Sequence, residues 1–323
     1  MGIRRQPKAM HFEPSLLWNG QDLRLVGMKH VLLLFDGDIL AYRAGFGAEK
    51  KVYFDKRSPP DMGGAIYTSK KEAKEHVEPA QLDSYRELEP VANALQNCKS
   101  MIENTIDMAT TSQVATREQV RYITFLTGTK NFRMHVDPEY KANRKEAKKP
   151  EHLPAIRKYL QTHHFAQVSE GCEADDFFGQ ACIDAEKEKM LPIVVSIDKD
   201  LNQIAGIHYN FVRDELYVVT DRQANKFFWR QMLEGDRADN ITGISQVGPK
   251  KAEKMIPVPR DGRHVLDFRW DKETLKMDND TDKEVVIGQY KKEFGDGWEE
   301  KYNKNCDLLW IWRKVPDECP FKT

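Results

Sequence analysis

The sequence predicts an α/β fold in which helices cover a mostly parallel β-sheet. Three short segments carry this prediction: the mostly aliphatic runs at 31–35 and 193–197, and a third candidate strand at 121–126. Short aliphatic or β-branched runs of this kind are typical of strands that are buried on both faces, as in parallel sheets. Long stretches with helical spacing separate the runs, which is the pattern of a doubly wound α/β core.

Composition narrows the class of protein. The chain has 323 residues, of which 40% are hydrophobic and 31% are charged. This length predicts roughly two domains, or one domain with large insertions. The longest apolar runs, 31–35 and 308–312, fall well short of the roughly 20 residues of a membrane span. No apolar segment follows the basic N-terminus, so we expect a cytoplasmic protein without a secretory signal, in the host cytoplasm if the gene is a phage's.

Helical periodicity and cysteine spacing add two further expectations. Apolar residues recur at helical spacing from Val91 to Ile106, which predicts an amphipathic helix over 90–109. The five cysteines form no CxxC pair, so reduced thiols are expected rather than a zinc site or a disulfide frame.

Carboxylates follow two of the predicted strands directly. Asp36 and Asp38 come after the run at 31–35, and Asp198 and Asp200 come after the run at 193–197. The carboxyl ends of parallel strands meet at one edge of a sheet, where open α/β folds bind ligands. The sequence therefore predicts that these two pairs lie close together.

Two more acidic groups open candidate helices, and any single group can be explained by helix capping or surface solvation. If all four groups converge, their charges cannot all persist without cations. Carboxylates without His or Cys select Mg²⁺ or Mn²⁺, and a pair of such ions can bind a phosphodiester and the attacking water. The residues of the two further groups are Glu173, Asp175, Asp176, Asp236 and Asp239.

Two basic features point toward phosphate. Between positions 130 and 160 there are nine basic residues and four acidic ones, a net charge of +5. Charge alone leaves two interpretations open, a solvated face or a phosphate-facing segment. The segment 243–256 reads as a glycine turn followed by a helix with Pro249 near its first position, and a helix start of this kind can bind phosphate. It resembles a helix-hairpin-helix turn, although an ordinary Gly-Pro helix start has the same glycines.

Taken in order, these pieces resemble the 5′-nuclease superfamily, which includes flap endonucleases, the 5′-exonuclease domain of bacterial DNA polymerase I and stand-alone phage 5′–3′ exonucleases. The stretch 136–150 is most similar to the short-tailed phage exonucleases. The six matching segments are 36–42, 137–144, 173–176, 196–201, 235–241 and 243–256.

The resemblance implies a domain organisation. Residues 1–27 would be an N-terminal extension, and 28–230 a PIN-like 5′-nuclease core with a helical arch around 130–158. Residues 231–323 would form a helix-hairpin-helix-type DNA-binding subdomain with C-terminal helices. No motif marks the insertion around 47–90.

The resemblance also implies roles for single residues. Asp36, Glu173, Asp175 and Asp176 would hold a first metal, and Asp198 and Asp200 would bridge toward a second that Asp236 and Asp239 complete. Lys141 and Arg144 would be the catalytic basic pair of the arch, and Tyr42 would stack on the terminal base. The remaining DNA-binding residues would be Lys145, Gly243, Val247, Gly248, Lys250 and Lys251, with K⁺ held at the glycine hairpin.

One position departs from the family pattern. Members usually carry another metal-ligand aspartate after the strand at 121–126, shortly before an Asn-Phe/Trp-Arg triplet. This chain has the triplet at 131–133 but Gly128 at the expected place. We hypothesise that Asp38 supplies the missing charge from the neighbouring strand end.

The function implied is a 5′–3′ exonuclease with flap endonuclease activity that uses two Mg²⁺ ions, or Mn²⁺. The substrates would be duplex DNA with a 5′ end or flap, and RNA–DNA hybrids through an RNase H-like primer removal. No membrane partner is expected, and the sequence identifies no replication protein as a partner. Two alternatives stay open: a PIN-like ribonuclease for structured RNA, and a non-catalytic DNA-junction-binding protein with a decayed metal site.

Overall fold

The computed structural model describes residues 28–111, 115–144, 146–258 and 272–323. The predicted extension 1–27 and the candidate DNA contact Lys145 lie outside these ranges, so both remain predictions.

A six-stranded sheet forms the centre of the molecule. With strands numbered in chain order, its order is β6-β5-β1-β7-β8-β9, and every pairing is parallel except the last, β8 with β9. The three predicted strands are β1, β5 and β7, so the predicted α/β class is confirmed. The strand bounds are β1 His30–Asp36, β5 Val120–Leu126, β6 Ala166–Val168, β7 Met190–Val195, β8 Gly206–Asn210 and β9 Glu215–Val219.

Ten α-helices surround the sheet within the described residues, and the predicted amphipathic helix is α3. None of these helices is both long and apolar enough to span a bilayer. The helix bounds are α1 Gly37–Gly47, α2 Lys70–His76, α3 Val91–Thr111, α4 Arg133–Val136, α5 Leu153–His163, α6 Phe178–Lys187, α7 Asp221–Glu234, α8 Pro249–Met255, α9 Lys272–Phe294 and α10 Trp298–Leu309.

Both faces of the sheet are buried at the central strands β1 and β7, which explains their mostly apolar sequences. Successive residues of a strand point to opposite faces. In β1, Leu33 and Phe35 join one apolar cluster together with residues of α1, α3 and α5, while Leu34 joins another with residues of α6.

A helical layer packs beside the carboxyl edge of the sheet. Trp229 of α7, Tyr290 of α9 and Tyr302 of α10 are fully buried there. The last residues of α10 and those that follow it form a strap, residues 308–312, in which Leu308 to Ile311 are buried. A short hairpin of β10 (Gly235–Asp236) and β11 (Ile241–Thr242) leads from α7 toward α8.

The insertion around 47–90 forms a small antiparallel sheet of its own. Its strands are β2 Glu49–Asp55, β3 Ile66–Tyr67 and β4 Leu82–Leu88, in the order β3-β2-β4, with α2 between β3 and β4. The segment predicted as a helical arch contains α4, a 3₁₀ turn at Ala142–Arg144 and the first half of α5.

Candidate active site

The parallel strands β1 and β7 place Asp36 next to the segment that contains Ser196 and Asp198. Asp36 ends β1, and its carboxylate caps α1 by accepting a hydrogen bond from the Ile39 N–H at 3.0 Å. Its other oxygen accepts from the Ser196 hydroxyl at 2.7 Å, just after β7. Burial, followed by smaller effects of Asp198 and Asp38, raises the pKa of Asp36 to about 7. Burial among other carboxylates therefore disfavours the charged form of Asp36.

Asp175 lies within the same group of carboxylates. In the described part of the chain, no hydrogen-bond donor reaches its side chain, and burial raises its pKa well above the ordinary value. The charges of Asp36, Asp198 and Glu173 add to this effect, and the charge of Lys141 opposes it. A carboxylate with acidic neighbours and no donor is poorly stabilised as it stands, and a bound cation would relieve it.

Asp176 has a different role from the one that the sequence predicted. It is fully buried, and both of its oxygens receive the Arg133 guanidinium, at 2.6 and 2.9 Å. The backbone N–H groups of Glu173 and Trp312 also donate to it. These four hydrogen bonds occupy the carboxylate, so the prediction of Asp176 as a metal ligand is corrected to a structural ion pair.

A second acidic pair lies where the turn after β7 meets the β10 hairpin. The Lys199 ammonium donates to Asp200 at 2.7 Å and to Asp236 at 3.0 Å. The Gln231 amide of α7 also donates to Asp200. Burial, followed by the charge of Asp198, raises the pKa of Asp200 to about 7 despite Lys199.

The basic residues predicted for the arch contact the opposite wall of the cluster. Lys141 donates to Glu173, and its Nζ lies 3.6 Å from Asp239. Arg144 pairs with Asp239. The phenol of Tyr140 lies 3.0 Å from both Glu173 and Asp239.

These contacts leave the pKa values of Glu173 and Asp239 shifted in opposite directions. Burial would raise the pKa of Glu173, but Lys141 and Arg133 outweigh burial and lower it. For Asp239, burial prevails over Lys141 and Arg144, and its pKa is raised. Glu173 is thus held as an anion by its partners, whereas Asp239 would gain from a further cation.

Asp38 points away from this cluster. One of its oxygens pairs with Arg157, and the other accepts from the Thr127 N–H at 2.9 Å. Both oxygens are therefore occupied, which speaks against the hypothesis that Asp38 replaces the missing aspartate at a metal.

The backbone around Gly128 leaves no room for an aspartate there. A Cβ at this position would lie 2.0 Å from the Ser169 carbonyl oxygen. We expect Gly128→Asp to lower the thermal midpoint, by an amount that corresponds to about 1–3 kcal/mol of overpacking, without strengthening metal binding. Thermal unfolding with and without Mg²⁺ tests this. Gly288→Ala, at an exposed helical glycine with open space around it, is the control and should stabilise the fold. A stable Gly128→Asp with tighter metal binding would contradict the prediction.

A small cleft lies between the carboxylates of the cluster, with room of about 30 Å³ for the centres of water molecules. A single water needs about 10–15 Å³ by this measure, so the cleft has room for about two waters. Its acidic lining consists of Glu173, Asp175, Asp200, Asp236 and Asp239. Leu308, Leu309 and Ile311 of the strap form part of its apolar wall.

The carboxylate oxygens that line the cleft suit divalent cations, but they do not surround one common position. The side chains offer carboxylate oxygens, which suit Mg²⁺ and Mn²⁺. Among the described residues, however, no three acidic, His or Cys side chains stand close enough to enclose an ion as they are. Lys199 and Lys141 lie between the carboxylates instead, so binding of an ion requires side chains to move.

The remaining predicted contacts do not line the cleft. Tyr42 is half-buried on α1, where burial and then Asp38 raise its pKa. In the glycine turn, Gly243 is required by packing, because a Cβ there would lie 2.3 Å from the Gly235 nitrogen. Gly248 precedes α8 with open space around it, while Val247 is buried. Lys250 and Lys251 are exposed in the first turn of α8.

Sequence reasoning missed three residues that organise the site. Lys199 stands between two predicted ligands, and Tyr140 directly precedes Lys141. Arg133 belongs to the triplet that was used only to locate Gly128. Their positions within the matched motifs were the available signal, but their partners are set by folding.

Comparison with known proteins finds similarity to one nuclease family. Residues 85–229 match the family model described as 5′-3′ exonuclease, N-terminal resolvase-like domain. This part of the chain is thus similar to the 5′-nuclease superfamily. The matched segment includes Lys141, Arg144, the acidic motif at 173–176, and both Asp198 and Asp200.

Relatives of known name match parts of the chain. The flap endonuclease Xni of Shewanella baltica is 28% identical over 137 residues, which cover 39% of this chain and 52% of that protein. DNA polymerase I of Bacillus caldotenax is 30% identical over 153 residues, 42% of this chain and 17% of the polymerase. The chain thus spans about half the length of the first relative and a smaller part of the second.

A longer match and a solved structure extend the comparison. The 5′-3′ exonuclease of Mycoplasma pneumoniae is 26% identical over 250 residues, 71% of this chain and 72% of that protein. Among solved structures, T5 5′-exonuclease with bound zinc ions aligns with a TM-score of 0.45 at 15% identity, and covers 87% of this chain and 100% of that one.

Proposed function

We propose that this protein is a 5′–3′ exonuclease with flap endonuclease activity that hydrolyses phosphodiesters of DNA with the help of divalent cations. The observation that carries this proposal is the group of neighbouring carboxylates Asp36, Asp175 and Asp198, in which burial and mutual charge disfavour ionisation of Asp36 and Asp175, beside a cleft flanked by Lys141 and Arg144. Similarity to the 5′-3′ exonuclease family suggests the reaction, and the charge distribution supports assistance by a cation.

The acidic residues divide into two candidate ligand sets. Asp36, Asp175 and Asp198 would hold one cation, and Asp200 and Asp236, with Asp239 at the rim, would hold the second. When bound, such cations neutralise a phosphate and make water a better nucleophile near neutral pH. Glu173 is already compensated by Lys141 and Tyr140, so in this proposal it positions the basic residues.

Lys141 and Arg144 would provide the phosphate contacts. Both side chains stay partly exposed, at 24% and 50%, while they pair with Glu173 and Asp239. A substrate phosphate offers stronger acceptors, and Arg is suited to its geometry. Hydrogen bonds from these cations to the phosphate would stabilise the charge that develops during hydrolysis.

The surface beyond the cleft would hold the duplex. We propose that the glycine turn with Gly243, Val247 and Gly248 approaches the DNA backbone, with Lys250 and Lys251 adding charge and K⁺ as a further ligand of the turn. Tyr42 would stack on the terminal base, and RNA–DNA hybrids would be alternative substrates. In this proposal residues 231–323 form the DNA-binding subdomain beside the nuclease core.

Cleavage assays on labelled substrates test the proposal. A 5′-labelled duplex, a 5′ flap and a structured RNA are incubated with Mg²⁺ or EDTA, with Asp198→Ala as the inactive control. We expect Mg²⁺-dependent products from the 5′ end of DNA that the variant does not form. Preferred cleavage of RNA would favour a PIN-like ribonuclease. Tight DNA binding without cleavage would favour a junction-binding protein.

Replacement of Asp38 tests whether this residue is excluded from the metal ligands, as proposed. Because both of its oxygens are paired with Arg157 and Thr127, we expect Asp38→Asn to keep cleavage within about tenfold of wild type, equivalent to about 1.4 kcal/mol. The Mg²⁺ concentration for half-maximal cleavage should also change little. A loss as large as that of Asp175→Asn would return Asp38 to the metal ligands.

A further inference from the structure

Lys199 occupies the position of a cation between two carboxylates of the cleft. Its ammonium lies 2.7 Å from Asp200 and 3.0 Å from Asp236, which come from different elements of the chain. Asp236 is 3% exposed at its side chain and Lys199 is 29% exposed. The Nζ of Lys199 also lies over the ring of Phe227, 5.9 Å from its centroid. One buried carboxylate, Asp236, and one partly exposed carboxylate, Asp200, are thus joined by a charged and partly accessible group.

Lys199 and a divalent cation would compete at these carboxylates. The ammonium donates to one oxygen of each, which occupies lone pairs that a metal ion could bind, and its positive charge repels the ion. The pair also has neutral donors: Asp200 accepts from the Gln231 amide, and Asp236 accepts from the Ala238 N–H. These neutral contacts can remain when the ammonium leaves.

We propose that Lys199 is an internal counter-ion that holds Asp200 and Asp236 in the metal-free protein and competes with the second divalent cation for them. The inference rests on the proposed metal dependence and deepens it. It makes Lys199 a positioning residue: the metal-free cleft stays folded because of it, and the second cation binds more weakly because it must displace the ammonium.

Manganese titration of the full chain tests this competition. Lys199→Met keeps the stem but removes the charge, and Lys199→Gln serves as a second variant that can still donate to Asp200. The matched control is Lys187→Met, which removes a lysine paired with the exposed Asp184. Mn²⁺ affinity is measured by calorimetry or electron paramagnetic resonance, and thermal midpoints are measured in EDTA and in Mn²⁺.

We expect the weaker Mn²⁺ site to bind at least about tenfold tighter in both Lys199 variants, a change of about 1.4 kcal/mol, and to be unchanged in Lys187→Met. In EDTA the Lys199 variants should melt below wild type, and Mn²⁺ should restore them. Equal or weaker Mn²⁺ affinity in the variants would overturn this inference and leave the proposed metal dependence in place. Absence of Mn²⁺ binding in wild type would overturn the proposed metal dependence and this inference with it.

Discussion

Replacing Asp175 with Asn is expected to abolish cleavage and to raise the stability of the metal-free protein. Its side chain has no hydrogen-bond donor among the described residues, and burial, Asp36 and Asp198 all raise its pKa. Asn has almost the same size without the charge. We therefore expect a higher thermal midpoint in EDTA and at least a hundredfold loss of cleavage, roughly 2.7 kcal/mol of transition-state stabilisation.

The raised pKa of Asp175 also predicts how the stability gain of Asp175→Asn changes with pH. A carboxyl group whose folded pKa is raised contributes stability at low pH that is lost as the pH rises from its unfolded value, about 3.9, through the folded pKa. The gain from Asp175→Asn in EDTA should therefore grow with pH over that interval. With Mg²⁺ the order should reverse, because wild type gains stability from the bound ion.

Asp184→Asn is the matched control for this experiment. Asp184 is exposed, and its hydrogen bonds from Lys187 and Gln180 lower its pKa, so its replacement should slightly destabilise the protein and leave cleavage unchanged. If Asp175→Asn does not raise the midpoint in EDTA, or responds to Mg²⁺ as wild type does, Asp175 is not an uncompensated ligand.

Replacing Arg133 with Met is expected to give the largest loss of stability. Arg133 is 3% exposed and Asp176 is 0% exposed at the side chain. The guanidinium also donates to the carbonyls of Leu308 and Trp310 in the strap. Removal of one member of a buried pair leaves a buried charge and costs about 3–5 kcal/mol. Unfolding in denaturant should measure a loss of this size.

Arg117→Met is a suitable control because Arg117 also pairs with two partners, Glu103 and Asp107, but is 55% exposed. Exposed pairs contribute about 0–1 kcal/mol. The double variant Arg133→Met with Asp176→Asn should recover part of the loss, since no buried charge is left alone and the amide oxygen can still accept from the backbone N–H groups of Glu173 and Trp312. Equal effects of Arg133→Met and Arg117→Met would contradict the structural role of the ion pair.

Much of the fold could be predicted from the sequence, because a strand that is buried on both faces is marked by a mostly apolar run. The apolar runs at β1, β5 and β7 needed no partner to be recognised, and the parallel register then placed Asp36 beside the residues that follow β7. The spacing of α3 likewise followed from one buried helix face. Local patterns were sufficient wherever burial alone decided the structure.

The site was less predictable because its electrostatics depend on long-range partners. Asp175 and Asp176 are neighbours in sequence, yet one lacks a donor and the other pairs with Arg133. The strap that reaches Asp176 through the Trp312 N–H lies 136 residues further along the chain. Spacing could propose the carboxylates as a set, but only the fold separates structural from uncompensated ones.

Crystals soaked in Mn²⁺ would show directly whether the acidic cluster is the metal centre, because anomalous scattering locates the ions. We expect one ion bound by oxygens of Asp36, Asp175 or Asp198, and a second at Asp200 and Asp236 with the Lys199 ammonium displaced. Both should be absent from the same positions in EDTA. Ions found only outside the cleft, in crystals of protein that still cleaves DNA with Mn²⁺, would contradict the acidic cluster as the metal centre.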